Sequence, residues 1–193
     1  MQKQKISKGD FGYLKHLKIV NLIKVIVSVA VVLIVLVTGI IINGTRNNIC
    51  TVMAIVLVLP AAKMIVGYVI LLPHQSTDKK LYDEVTAAAG PLVTCFDCVF
   101  SNSKSPIGTQ AVVINENSVC VFTYEEKADK KLFETSLKEF LKNDKLSANI
   151  TLYKDEKAFL NRVKTMAANF DSSDKQNTDK MTWICNCVKS MCM

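Results

Sequence analysis

Two groups of cysteines have the spacing that metal binding or thiol chemistry requires. Cys95 and Cys98 form a CxxC pair, and Cys185, Cys187 and Cys192 form a second group. A CxxC pair is the usual half of a zinc site, and the second group could supply the remaining ligands. The candidate zinc ligands are therefore Cys95, Cys98, Cys185 and Cys187. The alternatives are thiol redox chemistry and simple core packing, because a buried free cysteine behaves as a small hydrophobe.

A second candidate is the pair Glu125 and Lys127, which follows a predicted strand. Two residues apart on an extended chain, these side chains point to the same face, as in the glutamate–lysine element of metal-dependent nucleases. Such a site also needs an aspartate from the preceding strand, and only Glu116, in a predicted turn, is nearby. The pattern therefore favours solvated charges over a nuclease site.

Other familiar catalytic patterns are missing from the sequence. Gly90 and Gly108 stand alone, so no phosphate-binding loop is present. The two histidines, His16 and His74, flank the apolar segments and are predicted to lie at a membrane interface. We therefore assign no catalytic residue, predict no cofactor apart from the zinc alternative, and favour a non-enzymatic role.

Two apolar runs dominate the first third of the chain. Residues 25–42 carry no charge over 18 positions, and residues 49–72 carry one charge over 24. At ~1.5 Å per helical residue, each run nearly or fully crosses a ~30 Å hydrocarbon core. The polar turn 43–48 makes the two spans an antiparallel hairpin. The first run is too long for a secretory signal peptide, and no cleavage site follows it.

The charge of the chain is concentrated around this hairpin. Residues 1–77 carry eight basic side chains and one acidic one, whereas residues 78–193 are neutral. This placement indicates membrane topology and argues against nucleic acid binding by the soluble part. Five lysines precede Ile19 and only Arg46 lies in the turn, so both termini are predicted to be cytoplasmic. In that compartment the cysteines are kept reduced.

Lys63 and Pro60 are unusual residues for the middle of an apolar span. Pro60 cannot donate to the carbonyl of Val56, and the Lys63 ammonium, leaning back along the helix, could help to satisfy that acceptor. Neither span contains an acid, so an ion pair within one hairpin is excluded. Intramembrane charges are functional candidates by default. The alternative is a tolerated, partly hydrated charge that costs ~3 kcal/mol on insertion scales.

The remaining sequence predicts a small α+β domain. The predicted elements are a helix from Asp78 to about Ser101 that is interrupted at Gly90-Pro91, strands at 110–115, 119–124 and 148–154, and helices at 128–141 and 155–170. The predicted fold is thus an α-helical transmembrane hairpin plus a small α+β cytosolic domain, with about three strands and helices packed on one face.

This fold corresponds to four segments along the chain. They are a basic cytosolic segment (1–18), the hairpin (19–72, with spans at about 19–42 and 49–72), the α+β domain (78–170), and a polar linker with a cysteine-rich C-terminal element (171–193).

Three stretches of the sequence resemble a known group of proteins. FGYLK (11–15), TRNNICTVMAIVLVLPAAKMIVG (45–67) and DKKLYDEVTAAAGPL (78–92) are similar to uncharacterised two-span membrane proteins of Gram-positive bacteria that carry a small cytosolic α/β domain. The resemblance covers about ninety residues and the general layout of the rest. It implies an architecture and no activity, and the ending WICNCVKSMCM departs from it.

From these observations we predict a multi-pass protein of the cell (inner) membrane. Its cytosolic domain is expected to bind a protein partner in a membrane-associated assembly, and the hairpin could also form homo-oligomers. The alternative is a membrane-anchored metal- or thiol-dependent protein that uses the cysteine cluster.

Overall fold

A computed structural model describes residues 7–43, 49–101, 105–170 and 175–193 of the protein. The chain divides into two compact units. One unit is Lys15–Pro73, and the other combines Met1–Leu14 with His74–Met193. Each unit is built from its own elements and has its own packing.

The first unit consists of two long helices, α1 (Tyr13–Asn43) and α2 (Ile49–Leu71). Both are long and apolar enough to cross a membrane by length and composition. Only 6% and 17% of their most apolar windows are buried, whereas the core helix of a soluble protein would be mostly buried. The Lys18 ammonium donates to the Leu72 carbonyl at 3.1 Å. This bond joins the start of α1 to the end of α2, as an antiparallel pair requires.

The second unit is organised around a sheet of four strands in the order β1-β2-β3-β4. The strands are β1 (Val93–Phe100), β2 (Ile107–Ile114), β3 (Ser118–Phe122) and β4 (Asn149–Tyr153). The first three form an antiparallel meander, and β4 pairs parallel to β3. A parallel neighbour requires a crossover, which the helix α4 (Lys130–Asn143) supplies.

Helices cover both faces of this sheet. Besides α4 they are α3 (Lys79–Ala89), α5 (Glu156–Ala168) and α6 (Lys175–Met191). All eight residues of β2 are buried, which an antiparallel strand with one solvated face would not show. Aromatic pairs join helix to strand: Phe122 lies 5.4 Å from Phe159 between ring centroids, and Phe100 lies 5.2 Å from Phe133.

The coarse prediction, two long apolar helices and a small sheet with helices, is confirmed, but the strand count was wrong. The sheet has four strands instead of three, and helices pack on both faces instead of one. The missed strand is β1, because 93–100 was predicted as the end of a helix. Gly90, with φ +52°, ends α3, and a fully apolar run that follows is compatible with either a buried strand or a buried helix.

Two further predicted segments differ from the structure or lie outside it. The helix α6 begins at Lys175, within the stretch that was predicted as a polar linker. Residues 171–174 of that linker and residues 44–48 of the hairpin turn lie outside the described residues.

Candidate functional site

The side chains of β1 do not alternate regularly between the two faces of the sheet, and this irregularity determines which way its cysteines point. In a regular strand, residues three apart such as Cys95 and Cys98 face opposite sides of the sheet. Between them, Asp97 has φ +52°, a left-handed conformation that is uncommon outside glycine. The alternation shifts at this residue. Both thiols consequently lie near the C-terminal segment, where the sulfur of Cys95 contacts that of Cys185 and the proximity of Cys192 raises the pKa of Cys98.

The strained conformation of Asp97 is held by hydrogen bonds to its carboxylate from three residues. The donors are the Gly12 amide at 2.8 Å, the Ser76 hydroxyl at 2.8 Å and the Thr77 amide at 2.6 Å. The Thr77 hydroxyl lies 2.7 Å from the carboxylate and shares its single proton between it and the Gln110 carbonyl at 2.6 Å. Asp97 is only 1% exposed, and a buried carboxylate is tolerated when its oxygens are satisfied in this way. These bonds offset a backbone strain on the order of 1–3 kcal/mol.

The closest thiol pair of the cluster bridges the sheet and the last helix. The Sγ atoms of Cys95 on β1 and Cys185 on α6 are 3.1 Å apart, and both side chains are buried. Lys189 lies one helical turn after Cys185, close enough for its charge to lower the pKa of that thiol. The site is therefore a thiol pair with one adjacent ammonium group.

Gly9 makes room for this ammonium group. Its carbonyl accepts a hydrogen bond from the Phe96 amide at 2.8 Å, which lays the N-terminal segment along β1. A Cβ at Gly9 would lie 2.6 Å from Cε of Lys189, and φ at this residue is +89°. Only glycine therefore combines this backbone conformation with so close an approach of the lysine stem.

The two sulfurs of the pair differ in acidity. The hydrogen bond from Cys95, followed by the charge of Lys189, lowers the pKa of Cys185 to about 7 in spite of burial. The same hydrogen bond and burial raise the pKa of Cys95. Cys185 is therefore the more acidic thiol of the pair, and a proton shared by the two sulfurs favours Cys95.

The remaining cysteines do not complete the predicted zinc site. Cys187 lies apart from the cluster, where its thiol donates to the Asp144 carboxylate at 3.0 Å. Burial and this carboxylate raise the pKa of Cys187 to about 12. Cys120 contacts the sulfur of Met166 at 3.2 Å. Among the described residues, no group of three or more histidine, cysteine or acidic side chains is arranged to hold a metal ion. Zinc binding stays a prediction.

The residues considered for a nuclease site are placed differently from such a site. Glu125 lies 2.6 Å from Nδ1 of His74 and accepts the Gly108 amide at 2.9 Å, so its carboxylate has a structural role. Lys127 is exposed. Glu116 precedes β3 and Glu125 follows it, so a strand of roughly 16 Å separates the two acids. The side chain of His74 is buried among these groups, and its interfacial position stays a prediction.

The structure also places the intramembrane candidates. The helix α2 continues through Pro60, and Lys63 lines a cleft between α1 and α2 together with Asn21 and Lys24. Within the described part of the chain, Lys63 makes no hydrogen bond to the Val56 carbonyl. The expected compensation of Pro60 by Lys63 is therefore not present in this structure.

Three residues of the site, Lys189, Asp97 and Gly9, were not predicted from the sequence. Features of the sequence could have identified the first two. Cys185 and Lys189 are four positions apart, a spacing that places them on one helical face. Asp97 is the single acid in the apolar run VTCFDCVF, where a charge requires partners. Gly9 had no signal, because its close contact is made with a residue 180 positions away.

Comparison of the chain with protein-family models, with curated proteins and with solved structures finds no match. The resemblance to two-span proteins of Gram-positive bacteria stays a prediction.

The pKa difference within the thiol pair leads to a testable pH dependence. In the reduced protein we expect the Cys185 thiolate to form with a midpoint near pH 7, below the ordinary cysteine value of about 8.5. Lys189→Met removes the adjacent cation and should raise this midpoint. The measurement is the ultraviolet absorbance of the thiolate against pH, taken as the difference between the wild type and Cys185→Ser.

Lys180→Met is the matched control, because Lys180 lies on the same helix and bonds to Asn117 instead. It should leave the midpoint unchanged. A wild-type midpoint at the ordinary value, or one that Lys189→Met does not move, would contradict the assignment of Cys185 as the acidic thiol.

Proposed function

We propose that the chain is a membrane-anchored, thiol-responsive protein in which a reversible disulfide between Cys95 and Cys185 controls how α6 is held on the sheet. The proposal is supported chiefly by the 3.1 Å contact between these two sulfurs, which lie on different elements. A disulfide has a sulfur–sulfur length of about 2.05 Å, so the sulfurs need to approach by roughly 1 Å. A rotation of both side chains can supply that distance.

The chemistry requires a hydroperoxide as oxidant and a dithiol as reductant. The Cys185 thiolate attacks the peroxide, the O–O bond breaks, and the protonated leaving oxygen departs as water or an alcohol. The resulting sulfenic acid is then attacked by Cys95, which gives up its proton, forms the S–S bond and releases water. Two thiols and one hydroperoxide thus yield one disulfide, and thiol–disulfide exchange with the dithiol reverses the step.

A cross-link at this position would change how firmly α6 is bound. In the reduced protein two hydrogen bonds hold the end of α6. The Met193 amide donates to the Val99 carbonyl at 2.9 Å, and the Lys8 ammonium donates to the Cys192 carbonyl at 3.0 Å. A disulfide between residues so far apart in sequence stabilises the folded state by up to about 4–5 kcal/mol in the chain-entropy model. In a reducing cytosol such a bond would be transient and suited to signalling.

A second function, the binding of a protein partner in a membrane-associated assembly, is favoured by Trp183. This tryptophan lies on α6 and is 68% exposed. It borders a shallow cleft of about 410 Å³ that Asp144, Leu146 and Asn186 also line. Tryptophans are enriched at the energetic centres of protein interfaces. Trp183 is two positions from Cys185, so the thiol pair and this surface share one helix.

The proposed location is the cell membrane, with α1 and α2 spanning it and the second unit in the cytoplasm. The proposal is supported by the exposed apolar surface of both helices and by the lysines that precede the first span. Reporter fusions at residues 1 and 193 should both behave as cytoplasmic. A fusion at residue 193 that is active only outside the cell would contradict this topology.

We expect mild peroxide to join Cys95 to Cys185 in the full-length protein, because these sulfurs are in contact. The measurement is peptide mapping by mass spectrometry after alkylation of the remaining thiols, with reversal by a dithiol reductant. Cys185→Ser should abolish the cross-link. Cys120→Ser, which removes an equally buried thiol on β3, should leave it intact.

Two results would contradict the thiol function. One is a disulfide between Cys95 and Cys98 as the main product, since the structure turns both thiols towards the C-terminal segment and not towards each other. The other is about one zinc per chain in protein purified without oxygen, which would favour the metal-dependent alternative.

For partner binding, we expect Trp183→Ala to reduce the recovery of a specific membrane-associated protein at least about tenfold, because truncation of an interface tryptophan commonly costs 2 kcal/mol or more. The measurement is quantitative co-purification from native membranes. Thr182→Ala, at the exposed neighbouring position, is the matched control. Equal recovery with Trp183→Ala would exclude this surface.

A further inference from the structure

The groove between α1 and α2 contains two adjoining clefts of different polarity. The first has a volume of about 370 Å³ and is lined by Asn21, Lys24, Pro60, Lys63, Met64 and Gly67. The second has a volume of about 310 Å³, and its lining includes Val27, Val31, Leu57 and Ala61. The two clefts share Lys24, Pro60 and Met64, so they form one continuous groove.

Lys18 marks the start of α1, and Leu72 marks the end of α2. Polarity decreases along the groove with distance from these two ends. Lys24 is six residues from Lys18, or about 9 Å along α1, and Lys63 is nine residues from Leu72, or about 13 Å along α2. The apolar cleft lies deeper again, because its residues continue inward from Lys24 on α1 and from Lys63 on α2. A phospholipid has the same order, with a charged phosphate near the surface and acyl chains beneath it.

The charge of the groove favours a bound anion. Neither apolar span contains an acid, and within the described residues Lys24 and Lys63 form no ion pair. An ammonium placed in the hydrocarbon is costly, and a bound anion would reduce that cost. A second copy of the hairpin would bring two more lysines and no acid. A lipid phosphate supplies both the negative charge and several acceptor oxygens.

We propose that this groove binds one anionic phospholipid of the cytoplasmic leaflet. Lys24 and Lys63 hold the phosphate, Asn21 adds an amide donor at its edge, and one acyl chain occupies the apolar cleft. The proposal rests on the membrane location proposed above. It gives Lys63 a binding role, and it gives Gly67 the role of leaving the polar cleft open.

The test is native mass spectrometry of the full-length protein in detergent, with phosphatidylglycerol and phosphatidylcholine added in equal amounts. The wild type is expected to retain phosphatidylglycerol with a preference of at least about tenfold, equivalent to 1.4 kcal/mol. The double variant Lys24→Gln/Lys63→Gln should lose this preference. Lys79→Gln/Lys80→Gln removes the same charge outside the groove and should keep it.

A second variant tests the groove without changing its charge. A Cβ at Gly67 would meet no atom within 4 Å, and Gly67 lines the polar cleft, so we expect Gly67→Leu to fold with its side chain in that cleft. It should lose phosphatidylglycerol as the double lysine variant does. Millimolar inorganic phosphate should not displace the lipid, because it cannot use the apolar cleft.

Four results would overturn the lipid site. They are equal retention of both lipids by the wild type, an unchanged preference in both groove variants, displacement by inorganic phosphate, and stoichiometric cross-linking of another membrane protein to a photoreactive residue at position 67. Resistance of the chain to carbonate extraction from membranes separates this inference from the proposed location. An extracted chain refutes the location, whereas an integral chain without lipid preference refutes the lipid site alone.

Discussion

The buried carboxylate of Asp97 is the interaction on which most of the second unit depends. It accepts hydrogen bonds from Gly12, just before α1, and from Ser76 and Thr77, shortly after α2. The two stretches of chain that lead into and out of the apolar hairpin are thus fixed to one strand by one side chain. Removal of this acid is costly, because each buried donor left unpaired loses about 1–3 kcal/mol.

The left-handed backbone at Asp97 also affects which cysteines come together in the thiol cluster. Because the side-chain alternation of β1 shifts there, Cys95 and Cys98 both face the C-terminal segment, and neither packs against α3. Strain of this kind is more often found at functional sites than in ordinary strands. The thiol pair lies where this strand meets the helix that carries Lys189 and Trp183.

The two proposed sites share an electrostatic principle. In each of them a lysine lies in weakly polar surroundings, where a nearby anion favours its charged form. At the thiol cluster burial opposes the charge of Lys189, but nearby anionic groups, among them Cys185 and Asp10, raise its pKa. In the groove between α1 and α2, Lys24 and Lys63 have no acid in either span, and a lipid phosphate is the available counter-charge.

Local chemistry predicted much of the fold from the sequence. Asp155 was predicted to begin a helix, and its carboxylate does accept the amides of Lys157 and Ala158 at the start of α5. The apolar helices were evident from length and composition alone.

The rest of the fold depends on contacts between residues distant in sequence, and local sequence patterns do not predict such contacts. The run that forms β1 has no periodicity that separates strand from helix, since both of its faces are buried. The pairing of Cys95 with Cys185 depends on the docking of α6, which no local pattern specifies.

The most direct measurement of the central constraint is amide hydrogen exchange in the full-length Asp97→Gly variant, followed by mass spectrometry. Glycine keeps the left-handed conformation available, so only the carboxylate is lost. We expect the segments around Gly12 and Thr77 to lose protection together, while the β2 and β3 strands keep theirs. If either segment stays as protected as in the wild type, Asp97 does not hold both connections.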